Sequence, residues 1–218
     1  MVSVIVTIKM PLHFKPSASR RPKSSNVANR VRLIGGNWRS RIIEFPDADG
    51  LRPTVGRVRE TLFNWLGQSL HGKRCLDLFS GSGALGFEAA SRGAVEVVMV
   101  ETQPFAILAL RENQTKLGAT MCRIVVMDAL KFLGTTIQKF DVVFVDPPFG
   151  SNLMATALLA LPQSLTEDAM VYTEWHVSIT EVLANLSDVG WDVVKKGRAG
   201  AVHFALLRLA TSHQQTPI

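Results

Sequence analysis

What most constrains this chain is the alternation that begins at Arg74. Short apolar runs at 74–79, 95–100, 122–126, 140–145, 169–174, 190–195 and 201–208 are separated, for the most part, by stretches with helical spacing. Runs such as Val142-Val143-Phe144-Val145 are apolar on both faces, as strands are when helices cover both sides of a mostly parallel sheet. The expected fold is therefore a doubly wound α/β one with a mostly parallel, seven-stranded, Rossmann-like sheet. Such sheets bind ligands beyond the carboxyl ends of their strands, so the chemistry belongs in the residues that follow each run.

Ahead of the sheet, Val31 and Leu33, then Ile42, Ile43 and Phe45, flank Gly35, Gly36 and Asn37, the pattern of a small β-hairpin. Thr54 then precedes Val58, Leu62, Trp65 and Leu66 at helical spacing. Residues 1–29, with Pro11, Pro16 and Pro22, form an irregular basic leader, followed by the hairpin and a loop (30–53), the α/β domain (54–210) and a short tail (211–218). Residues 1–8 are too short for a secretory hydrophobic region, whereas an acid-poor leader suits an RNA-binding arm, a transit-like segment or a misassigned start equally.

Of the 218 residues 47% are hydrophobic, enough for one sizeable core, yet no apolar run approaches the roughly 18 residues of a membrane span. Cys75 and Cys122, the two cysteines, give neither a disulfide framework nor a zinc motif, and the five histidines lack metal-ligand spacing, so no metal is expected. No histidine stands beside a nucleophile motif of hydrolase type. A cytoplasmic monomer is expected.

Charge is unevenly placed. Residues 1–43 carry nine Lys or Arg and no acid, while the remainder holds fifteen basic against eighteen acidic side chains, a net of −3 beneath an overall +6. A basic arm on a mildly acidic body points to nucleic acid or an anionic surface. Arg39, Arg41, Arg52, Arg57 and Arg59 are the candidate phosphate contacts, each equally readable as a solvated charge. Trp38 can either stack on RNA or pack on the body.

Four strand ends carry polar groups. In LDLFSGSGALG (76–86), Gly81, Gly83 and Gly86 form a GxGxxG loop ahead of a helix, with Phe79 and Ser80 leading into it. This loop with Glu101 would suit NAD, but Asp77 would repel a pyrophosphate and instead suits a cationic cofactor such as S-adenosylmethionine. The plainer reading of Asp77 is an acid that orients the loop backbone. Glu101 can accept ribose hydroxyls or serve the start of the next helix. Asp128 with Ala129 can take an adenine edge, or Asp128 can cap the helix behind it.

The fourth end, Asp146-Pro147-Pro148-Phe149, carries the most chemistry. Two prolines make the loop rigid. The Asp146 carboxylate and the Pro147 carbonyl can grip both N–H bonds of a nucleobase amine and direct its lone pair at an electrophilic methyl group, while Phe149 stacks on the extruded base. The plainer reading is a proline-rich turn with a core phenylalanine.

These motifs together resemble class I S-adenosylmethionine-dependent methyltransferases that methylate amines. GGNWRSR (35–41), GLRPTVGRVRETLFNWL (50–66) and the order of all segments from about Arg30 to Leu209 are similar to the RsmD family of 16S ribosomal RNA guanine-N2 methyltransferases. The resemblance implies that Asp77, Phe79, Ser80, Gly81, Gly83, Glu101, Asp128 and Ala129 hold the cofactor. It likewise makes Asp146, Pro147, Pro148 and Phe149 the catalytic loop, acting on the assembled or assembling small subunit. Two segments depart from the family pattern, Val55-Gly56 before Arg57 and Thr173-Glu174-Trp175-His176, and neither is expected to touch the methyl-transfer site. A DNA amino-methyltransferase and a non-catalytic RNA-binding assembly factor are the competing readings.

Overall fold

A computed structural model describes residues 29–46, 56–148, 153–176 and 190–210 of the chain. A two-stranded hairpin, β1 (Asn29–Arg32) and β2 (Ile42–Phe45), precedes α1 (Gly56–Trp65). There follow β3 (Arg74–Asp77), α2 (Ala84–Ser91), β4 (Glu96–Glu101), α3 (Pro104–Leu117), β5 (Cys122–Val126), α4 (Ala129–Thr135), β6 (Phe140–Val145) and α5 (Leu153–Ala160). Three long strands close the order, β7 (Leu165–Trp175), β8 (Trp191–Ala199) and β9 (Val202–Leu209). The leader before Asn29, Arg52, Phe149 and the tail lie outside the described residues.

The seven strands run in the order β5-β4-β3-β6-β7-β9-β8, parallel from β5 to β7 and antiparallel through β9 and β8. Alternate residues of each central strand feed two cores. Cys75, Val142 and Phe144 join the hairpin and helices α1 to α3 on one face, whereas Leu76, Val143 and Val145 join α4 and α5 on the other. That two-sided burial is why these strands contain almost no polar residue. Among the described residues no helix is long and apolar enough to cross a membrane. Cys75 and Cys122 both pair with Val97 of β4, so two strand spacings of about 4.8 Å separate them, too far for a disulfide.

The hairpin docks on α2. Glu88 of α2 accepts the amides of Ile34 and Gly35 at 2.8 Å each, and the Ser91 hydroxyl accepts from Trp38 N–H at 2.8 Å while donating to the Gly35 carbonyl. Trp38 itself is half-buried against the first core, which decides its two readings in favour of packing.

Candidate active site

β3 delivers Asp77 to the carboxyl edge of the sheet at 3% exposure. Its Oδ2 accepts the Gly86 amide at 2.9 Å, one of the α2 N-terminal amides that no helical carbonyl can reach. Asp77 thus orients the loop and helix, whatever else it binds. Burial pushes its carboxyl up to about 7, the Gly86 bond opposing that rise and the Glu101 charge adding to it. The Ser80 hydroxyl donates to the Asp77 carbonyl at 2.9 Å, and the Ser80 amide donates to Val100 at 3.0 Å, binding the loop to β3 and β4. Phe79 is half-buried against the second core.

The glycines are needed where they stand. Gly83 has φ +78°, and a Cβ there would lie 2.6 Å from Leu110 and 2.7 Å from Phe87. Only glycine therefore lets the loop backbone pack this closely on Phe87 and Leu110 at the start of α2.

Glu101 ends β4 and gathers three amides: Gly81 on Oε2 at 2.8 Å, and Thr102 and Gln103 on Oε1 at 2.7 and 2.8 Å. It fastens the glycine-rich loop to the start of α3. A carboxylate has about four acceptor positions, so ribose hydroxyls would share oxygens that already hold the backbone. Asp128 is exposed and caps α4, its Oδ1 accepting the Lys131 amide at 2.9 Å. Ala129 is buried behind it.

β6 delivers Asp146, half-buried, then Pro147, buried, and Pro148, exposed. Val145 pairs with Thr173 of β7, so Glu174 stands beside Asp146 across the ladder. Glu174 is only 6% exposed, and its Oε1 accepts the Tyr172 hydroxyl at 2.7 Å. Burial, then the Glu174 and Asp146 carboxylates, hold the Tyr172 phenol well above its usual range, so it stays a donor. The Thr173–His176 segment therefore runs alongside the residues that follow β6. Its signal lay in strand register, which the sequence pattern alone does not fix.

The arginines divide. Arg39, Arg41 and Arg57 are exposed, Arg41 donating to the Lys116 carbonyl at 2.6 Å. Arg59 is a correction: it points inward at 4% exposure, 3.7 Å from Glu88, and donates to the Arg32 carbonyl at 3.1 Å. A guanidinium held there cannot meet a phosphate on the surface. Arg57, two residues earlier on α1, is exposed.

Asp77, Glu101 and the Asp146-Pro147-Pro148 segment thus stand along one edge of the chain's sheet, the first two holding the glycine-rich loop through its amides. Its fold is shared with a solved structure described as putative methyltransferase yhhF from Escherichia coli, at a TM-score of 0.72 and 34% identity over 84% of this chain and all of the other. A second, putative methylase HI0767 from Haemophilus influenzae, matches at 0.66 and 34%, covering 84% of this chain and 100% of that one. The class defined is that of the methyltransferases.

The particular family follows from sequence. The family model described as Conserved hypothetical protein 95 matches residues 31–208. Ribosomal RNA small subunit methyltransferase D of Escherichia coli is 38% identical over 86% of this chain and 93% of its own length, and its Haemophilus influenzae counterpart 36% over 86% and 98%. The chain belongs to this family, as the resemblance implied.

Proposed function

We propose that this chain transfers a methyl group from S-adenosylmethionine to the exocyclic N2 amine of one guanine in 16S ribosomal RNA, within the assembled or assembling small subunit. The observation that carries the reading is the placement of Asp146-Pro147-Pro148 beside the Asp77–Glu101 loop on one sheet edge, in a chain whose relatives are ribosomal RNA small subunit methyltransferases.

The loop fits the cofactor. Gly81, at φ +47°, puts no side chain into the loop, Glu101 has the acceptors for ribose hydroxyls, and Asp77 is a buried carboxyl whose charged form an ammonium or sulfonium group would favour. Ser80 and Phe79 shape the loop, and Asp128 with Ala129 borders the adenine end. When bound, S-adenosylmethionine supplies a methyl group made electrophilic by its sulfonium centre.

The amine of guanine is a weak nucleophile because its lone pair is delocalised into the ring. Asp146 and the Pro147 carbonyl accept its two N–H bonds and turn the lone pair out of the ring plane, with Pro148 and Phe149 flanking the base. As the N–C bond forms the amine proton becomes acidic and passes to the Asp146 carboxylate, which needs no unusual basicity. Positioning of this kind supplies on the order of 7 to 11 kcal/mol. Arg39, Arg41, Arg52 and Arg57 hold phosphates of the RNA.

The test is methyl transfer from labelled S-adenosylmethionine to small subunits lacking the modification, with naked RNA and duplex DNA alongside. Label recovered in N2-methylguanine, and lost with Asp146→Ala, is the expected result. Label in DNA, or cofactor binding with no transfer to any substrate, overturns the proposal.

A further inference from the structure

α1 faces the β8–β9 hairpin across a pocket of ≈ 250 Å³ whose lining includes Arg57, Thr61 and Trp65 on the helix and Gly197, Arg198 and Phe204 on the hairpin. Its floor is aromatic. The Trp65 and Phe204 rings lie 5.3 Å apart at 30°, and Phe204 pairs with Gly197 across the ladder. A Cβ at Gly197 would stand 2.5 Å from the Phe204 ring, so only glycine lets that ring lie against β8.

The rim is cationic. Arg57 and Arg198 are both exposed, and the Arg198 Nε donates to the Gly200 carbonyl at 2.8 Å, which holds its guanidinium at the hairpin turn. Arg30, Arg123 and Arg208 are ion-paired with Glu44, Glu96 and Asp192. Among the described residues neither Arg57 nor Arg198 has such a partner, and two unneutralised guanidiniums over an aromatic floor are what a phosphate and an attached base require.

The location supplies the second argument. Phe204 pairs with Glu174, which stands beside Asp146. Two strand spacings of about 4.8 Å put the Phe204 backbone roughly 10 Å from that of Asp146. Phe144, Tyr172, Phe204 and Trp65 all lie on the same side of the sheet. Small-ligand pockets run from about 300 Å³ upward, so this one suits a single base.

We infer that this pocket is the subsite for a nucleotide adjoining the methylated guanine, its base lying against Trp65 and its phosphate held by Arg57 and Arg198. The inference rests on the RNA reading above and adds to it the place where the strand is gripped next to the extruded base. The bland account of Arg198 is a charge that protects the exposed edge strand β8 from pairing.

The experiment compares the full chain with Arg57→Ala/Arg198→Ala, and with Lys73→Ala/Lys139→Ala, which removes two cations at the opposite end of the sheet. A short labelled single-stranded RNA is titrated over a range of salt, S-adenosylmethionine affinity is measured separately, and methyl transfer to unmodified small subunits is followed kinetically. In the arginine variant the logarithmic salt slope should become shallower by about 1.4, two single-strand phosphate contacts at about 0.7 each. RNA affinity should fall about tenfold or more, KM for subunits should rise with kcat nearly kept, and cofactor affinity should not move. RNA should also quench tryptophan emission in the parent chain, and Trp65→Phe should remove that quench. An arginine variant that matches the lysine control in slope and KM, while the parent methylates subunits, overturns the subsite alone. A parent chain that binds cofactor but neither binds nor methylates RNA overturns both readings.

Discussion

Asp77 holds the Gly86 amide from a position water scarcely reaches, and its carboxyl is pushed up from 3.8 to about 7. Between about pH 4 and pH 7 the folded chain therefore keeps a proton that the unfolded chain has lost. Since the unfolded state binds fewer protons there, this group's contribution to stability falls as pH rises through that window and is flat above it. Asp77→Asn keeps an acceptor for Gly86 and removes the titration. Denaturant unfolding at pH 5 and pH 8 should show the parent losing more stability than the variant between the two; equal losses would mean that Asp77 titrates normally. A cationic cofactor placed against this carboxylate would favour its charged form, so S-adenosylmethionine should bind more tightly at pH 8 than at pH 6. Calorimetry near pH 6.5 should then detect proton release through a dependence on the buffer's ionisation heat, absent in Asp77→Asn. Gly83→Ala makes a harsher change at the same loop, since φ +78° and the 2.6 Å approach to Leu110 both oppose a side chain. It should abolish cofactor binding, measured by the same titration, with the sheet still formed by circular dichroism.

At the scale of elements, one carboxylate joins three of them. Glu88 of α2 is fully buried, accepts the hairpin amides of Ile34 and Gly35, pairs with Arg92 at 2.9 Å and faces Arg59 of α1 at 3.7 Å. Removing one partner of a buried ion pair leaves uncompensated charge and costs about 3 to 5 kcal/mol, so Glu88→Ala should destabilise by that amount in denaturant unfolding. Hydrogen exchange at Ile34 and Gly35 should accelerate with it. Breaking the exposed Arg30–Glu44 pair should cost at most about 1 kcal/mol. The contrast explains what the sequence disclosed. Strands β3, β4 and β6 were legible because their apolar runs report two-sided burial locally, and the hairpin because Gly35-Gly36-Asn37 marks its turn. Asp77, Glu101 and Asp146 were legible as strand-end acids. The inward turn of Arg59 was not, because its partner Glu88 lies 29 positions away on another helix. Nor was Glu174, whose place beside Asp146 depends on the β6–β7 register. Asp128 had two local readings, and the Lys131 amide at 2.9 Å supports the cap.

Across the whole molecule, the edge proposed for the cofactor and the cationic surfaces occupy different places, so the two ligands should be separable by mutation. Every group assigned to the cofactor lies between Asp77 and Ala129, on loops held by backbone hydrogen bonds within the sheet. The excess positive charge lies instead before Glu44, with Arg57 and Arg198 beyond it. Removing residues 1–28 deletes Lys9, Lys15, Arg20, Arg21 and Lys23 and no acid, taking the net charge from +6 to +1. Phosphate contacts release counterions, at about 0.7 in logarithmic slope per contact on a single strand. The truncated chain should therefore bind RNA with a salt slope shallower by at least about 1.4, the equivalent of two of those five cations. Its affinity for S-adenosylmethionine should be unchanged, because nothing in the Asp77–Ala129 edge is removed. Combined with Arg57→Ala/Arg198→Ala, the slope losses should add, since independent phosphate contacts release their counterions independently. An unchanged slope after truncation would make the first 28 residues a passive leader and assign the electrostatic grip on RNA to the hairpin and α1.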